Sequence, residues 1–131
     1  MSIVHLQPST YTIESVKYPG VVFDLKGSTI DTPWSLQYID EASNTFILQA
    51  ASPSSNIFTA KIIEGADTVG TPYEETPLQV RAYGPASQYQ IIPASQPDLA
   101  LQAPNSGDGQ IKLEVSNSSA PEQQWIFNNL D

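Results

Sequence analysis

The sequence predicts an all-β domain of twelve short strands arranged as three four-stranded repeats, on three observations. Three stretches open alike, with Tyr11-Thr12-Ile13, Phe46-Ile47-Leu48 and Tyr89-Gln90-Ile91. They also close alike, with Asp31-Thr32-Pro33-Trp34, Glu75-Thr76-Pro77-Leu78 and Glu122-Gln123-Gln124-Trp125. A repeat of roughly 40 residues built from short strands restricts the architecture to few solutions. Finally, 11 prolines spread along the chain break any run of helical apolar spacing.

The first repeat, approximately 9–42, starts with a strand at 10–16, where Tyr11, Ile13 and Ser15 face one side and Thr12 and Glu14 the other. A Tyr18-Pro19-Gly20 turn leads to a strand at 21–25, and Lys26-Gly27-Ser28 turns into a short strand at 28–31 before the closing strand at 34–39. The second repeat, 43–86, carries strands at 45–50, 57–62, 68–71 and 78–82. The third, 87–131, carries them at 88–92, 99–102, 110–115 and 124–128. Differences in length fall in turns, which tolerate insertion, while offsets between strands stay nearly constant. With 131 residues the chain forms one domain, from residue 1 to 131.

Composition removes several classes of function. The net charge is −9 and the five basic residues are scattered, so no basic face exists to displace counterions from a nucleic acid. No apolar run reaches the roughly 20 residues of a membrane helix, and the start lacks signal-peptide features, so a cytoplasmic protein with no membrane partner is expected. There is no cysteine, which excludes disulfides, thiolate metal sites and a cysteine nucleophile. His5 is the only histidine and precedes the first expected strand, in a mobile terminus by this reading, so neither a Ser-His-Asp arrangement nor a histidine metal site can be assembled. The carboxylate pairs Asp40-Glu41 and Glu74-Glu75 read as solvated turns, Asn105-Ser106-Gly107-Asp108-Gly109 as a glycine-rich hairpin turn, and Asn117-Ser118-Ser119 as a glycosylation sequon by pattern alone. The chain is expected to be no enzyme and to need no cofactor or metal.

Three repeats closed by Gln-x-Trp resemble the ricin-B-type β-trefoil. Gln123-Gln124-Trp125 matches the motif outright, Trp34 keeps its tryptophan, and Leu78 keeps only apolar character. The resemblance covers the chain from Ser9 to Asn129 and implies that both tryptophans pack in a shared core. It also implies a sugar site in which an Asp near the end of a repeat's second strand holds hydroxyls, a ring on the third strand stacks on the sugar, and an amide completes the site. Asp24 holds the acidic position in the first repeat, and Thr59 and Leu101 align with it in the others. No ring stands on the shortened third strand beside Asp24, and Tyr38 and Tyr83 are the candidates to supply one from elsewhere.

Short, acidic, cysteine-free and with eroded sugar positions, the chain also resembles the fungal cocaprin-type protease inhibitors, with the mycocypins and cospin as more distant relatives. That resemblance implies reversible blocking of a papain-like cysteine protease, and of pepsin-like aspartic proteases as a second target, by an exposed loop. Lys26, Gly27, Ser28 and Thr29, between the second and third strands, are the expected contact loop. A glycine there permits close backbone approach, and flanking strands limit the entropy lost on binding. Tyr18, Pro19 and Gly20 form a secondary loop with an aromatic anchor, and Ala94-Ser95-Gln96-Pro97 is one candidate for an extended segment entering an aspartic protease. The sequence reading therefore places protease inhibition first and carbohydrate binding at a single site near Asp24 as its alternative. Either use leaves room for a homodimer through an exposed strand or apolar patch.

Overall fold

Alternation along Thr10–Ser15 buries Tyr11, Ile13 and Ser15 and turns Thr12 and Glu14 outward, as the period of a half-buried strand requires. The computed structural model describes residues 2–18, 33–50, 57–60, 65, 68–71, 76–82, 88–104 and 111–130. Among these the chain is all-β, with strands β1 (Ser2–Val4), β2 (Thr10–Ser15), β3 (Trp34–Asp40), β4 (Thr45–Ala50), β5 (Ile57–Ala60), β6 (Thr68–Thr71), β7 (Leu78–Ala82), β8 (Gln88–Pro93), β9 (Leu99–Gln102), β10 (Lys112–Val115) and β11 (Trp125–Asn129), and one 3-10 turn, Pro121–Gln123. Six of them close a ring through antiparallel pairings: β2 with β3, β3 with β4, β4 with β7, β7 with β8, β8 with β11, and β11 back to β2. The hairpins β5–β6 and β9–β10 stand outside this ring.

The threefold repeat reappears as threefold register. Tyr11 lies across from Trp34, Phe46 from Leu78, and Tyr89 from Trp125. Two residues further along each closing strand, Leu36 meets Leu48, Val80 meets Ile91, and Phe127 meets Ile13 of the next opening strand. These residues form one core cluster in which Trp34, Trp125, Phe46, Leu48, Leu78, Val80 and Ile91 are fully buried. The rings of Tyr11 and Tyr89 pack edge-on against Phe127, with centroids 5.6 and 5.9 Å away. Trp125 also satisfies its indole N–H, which donates to the Leu101 carbonyl at 3.1 Å.

Ten of the twelve expected strands appear at the expected places, and those at 21–25 and 28–31 lie outside the described residues. β11 starts at Trp125 because Pro121 favours a 3-10 turn there, and the Gln124 N–H closes that turn on the Pro121 carbonyl. The terminus around His5 is a correction. Ser2–Val4 is a strand paired with β7, through Ser2 opposite Ala82 and Val4 opposite Val80. His5 is held as well: its ring lies parallel to Tyr38 at 4.6 Å, and its Nδ1 donates to Asn44 Oδ1 at 2.9 Å. Three residues are too few for alternation to register as a strand.

Because Ile13, Leu48 and Ile91 occupy equivalent buried positions, truncating each to alanine should cost about 2–5 kcal/mol. The three losses should be alike, as urea midpoints at an unchanged m-value will show.

Candidate functional site

Of the residues expected to contact a partner, Asp24, Lys26, Gly27, Ser28, Thr29, Pro19 and Gly20 lie outside the described residues, as does Tyr83. Of the secondary loop only Tyr18 is described. It is partly buried against the core, its N–H donates to Ser15 Oγ at 3.1 Å, and Lys17 Nζ sits 5.5 Å from its ring centre. Lys17 Nζ also donates to Glu122 Oε2 at 2.9 Å, and the Val16 N–H donates to the Gln124 carbonyl at 3.1 Å. The chain leaving β2 is thereby clipped to the Gln-x-Trp segment of the third repeat. The hydrogen bond and the negative charge of Glu122 raise the Lys17 pKa above its ordinary value.

In the third repeat, Leu101, set against Asp24 by the sequence comparison alone, is fully buried in the core. The next residue, Gln102, faces the closing motif instead: Gln123 Nε2 donates to Gln102 Oε1 at 3.2 Å and to the Val115 carbonyl at 2.9 Å. Gln123 Oε1 accepts from the Asn117 N–H at 2.8 Å and from Gln90 Nε2 at 3.1 Å. Gln90 is equally saturated. Its second amide proton goes to the Asn117 carbonyl, and its Oε1 accepts from Ser116 Oγ and Arg81 Nη2. Gln90 is fully buried and Gln123 nearly so, and both use two donors and two acceptor sites, the full capacity of an amide side chain. The Asn117 N–H can only donate and the Val115 carbonyl can only accept, so the Gln123 amide has one orientation here.

Arg81 extends the network across repeats. From β7 its Nη2 reaches the Pro97 carbonyl at 3.0 Å and Ser116 Oγ at 3.2 Å. The segment Ala94-Ser95-Gln96-Pro97 is consequently a pinned turn rather than an extended strip: Ala94 N–H donates to the Pro77 carbonyl and Gln96 N–H to the Pro93 carbonyl. Asn117-Ser118-Ser119 is an exposed turn in which the Ser119 N–H donates to Asn117 Oδ1, and Asp40 Oδ1 likewise accepts from Ala42 in the turn after β3. Among the described residues no group of three or more His, Asp or Glu side chains is placed to hold a metal ion.

Tyr38 is not available as a sugar platform. One face is covered by His5, an edge-on contact joins it to Phe46 at 6.0 Å, and its hydroxyl accepts from the Leu6 N–H at 2.8 Å and donates to the Leu6 carbonyl at 2.7 Å. Burial raises its pKa above the usual tyrosine value, outweighing the Leu6 hydrogen bond that lowers it, with the negative charge of Glu41 adding to the rise. Sequence reading missed Gln90 and Gln102 as partners of Gln123. The signal was slight: a buried Gln in the closing motif needs amide or carbonyl partners, and Gln102 is the one amide ending the second strand of its repeat.

No family model and no curated protein matches the sequence. Solved structures do match over almost the whole chain. The Rhizoctonia solani agglutinin aligns with a TM-score of 0.79 at 19% identity, covering 98% of this chain and 99% of its own. The Macrolepiota procera ricin B-like lectin, solved in complex with lactose, aligns at 0.77 and 16% identity with the same coverage. ThreeFoil, a designed 3-fold symmetric protein, aligns at 0.64 and 17% identity over 92% of this chain and 99% of its own. At such identities the likeness is one of fold: the chain shares the fold of β-trefoil lectins.

Replacing Gln123 with Ala strands the Asn117 N–H, the Val115 carbonyl and one end of Gln90, and should cost roughly 2–4 kcal/mol in thermal unfolding. Lys17→Met, at a solvated pair, should leave stability nearly unchanged. Tyr38 binds its proton more tightly when folded than when unfolded, so its contribution is complete below about pH 10 and is lost as pH rises through the raised folded value. The wild type should lose more stability than Tyr38→Phe between pH 9 and 11.

Proposed function

We propose that this chain is a carbohydrate-binding protein of the lectin type, acting without a catalytic step and contacting its sugar in the first repeat around Asp24. The observation that carries the reading is the near-complete fold correspondence with two fungal lectins, one of them holding lactose. The third repeat supports the choice of the first. Its aligned residue Leu101 is committed to the core, and Gln102 beside it spends its Oε1 on Gln123, so no carboxylate is offered to a sugar there. A carboxylate accepts hydrogen bonds from two adjacent hydroxyls more strongly than a neutral amide does, which favours Asp24 as the polar anchor of a shallow site.

Protease inhibition through Lys26, Gly27, Ser28 and Thr29 would draw on the same stretch of the first repeat, and none of the structural neighbours named above is described as an inhibitor. The fold favours the lectin, which the sequence reading held as its alternative.

Calorimetric titration with lactose, followed by a panel of immobilised glycans, tests the assignment. Saturable binding should weaken at least about tenfold, or about 1.4 kcal/mol, on Asp24→Ala. Absence of glycan binding, together with papain inhibition that fades on substituting Gly27, would replace it with the inhibitor reading.

A further inference from the structure

Where the opening and closing strands of a repeat meet, the first and third repeats each form two ladder pairs: Thr10 with Ser35 and Tyr11 with Trp34, and Gln88 with Ile126 and Tyr89 with Trp125. In the second repeat only Phe46 and Leu78 pair. The equivalent Thr45 and Gln79 have parted, and the Gln79 side chain spans the gap, donating to the Ser43 carbonyl at 2.9 Å and to Thr45 Oγ1 at 3.3 Å. One residue further the first repeat is closed from within, by Leu36 N–H donating to the Ser9 carbonyl at 2.9 Å. In the second, the corresponding Val80 pairs instead with Val4 of β1. Asn44, the counterpart of Ser9, adopts a positive φ of 56° and gives its side chain to His5.

We propose that residues 2–7 are a strap that closes this parted seam, that Tyr38 is its buckle, and that it opens before the rest of the ring. β1 is as short as sheet strands usually come and has only three ladder pairs with β7. The strap is held through side chains. The Tyr38 hydroxyl takes both backbone groups of Leu6, the His5 ring stacks on Tyr38, and Val4 and Leu6 pack against the core. The seam needs this help because Leu78 stands where the other two repeats have tryptophan and buries less apolar surface. Opening the strap would bare the edge of β7 beyond Leu78 while the ring stays closed through β7–β8.

Native-state amide hydrogen exchange on the full chain tests this, independently of any ligand. Tyr38→Phe keeps the aromatic ring and removes the hydroxyl, and Val4→Pro disrupts β1 without changing a residue of the six ring strands. In both variants amides of β1 and of β7 beyond Leu78 should exchange at least about tenfold faster, while those of Leu36 and Phe127 keep their wild-type rates. Uniform acceleration around the ring, or no change at β1 and β7 in either variant, would overturn the proposal.

Discussion

Closure of the six-stranded ring depends on one pairing made three times, an aromatic residue of an opening strand set across from the first residue of a closing strand. Side chains alternate along a strand, so a slip of one residue at any of these pairs would turn a core set outward. Ile13, Leu48 and Ile91 are all buried together only if Tyr11, Phe46 and Tyr89 hold their partners simultaneously. A ring has no edge at which an error in one pair could be absorbed. Length changes are therefore confined to loops, which is why the repeats differ in size while their registers coincide.

That constraint made the fold readable. Aromatics at constant offset from apolar closing residues mark the register, and proline and glycine mark strand ends, so β4, β6, β7 and β9 fall at their expected bounds. What stayed hidden depends on contacts distant in sequence. The strand Ser2–Val4 has no pattern of its own and is secured by Tyr38, 32 residues beyond Leu6. Gln90, between Tyr89 and Ile91, reads as the outward residue of an alternating strand, yet it is fully buried because Gln123, Ser116, Asn117 and Arg81 surround its amide. Asp24 was legible as a residue type. Its surroundings were not, and it lies outside the described residues.

The three repeats have diverged in how they use polar groups. The third turns its amides inward, saturating Gln90 and Gln123 against each other and against the Val115 and Asn117 backbone. This fixes the turns at one end of the ring and ties the second repeat to the third through Arg81. The first repeat carries the acidic Asp24 in its sequence, outside the described residues. One of the three repeats has thus committed its amides to rigidity.

The two indoles have a spectroscopic consequence. Trp34 and Trp125 are both fully buried, belong to the first and third repeats, and have Leu78 as their counterpart in the second. Fluorescence excited selectively at tryptophan therefore reports from the first and third repeats, and no indole stands in the second. A coincident transition by fluorescence and by backbone circular dichroism would mark the ring as one cooperative unit. A circular-dichroism change that precedes the fluorescence change would assign the early loss to the second repeat, without a label or a substitution.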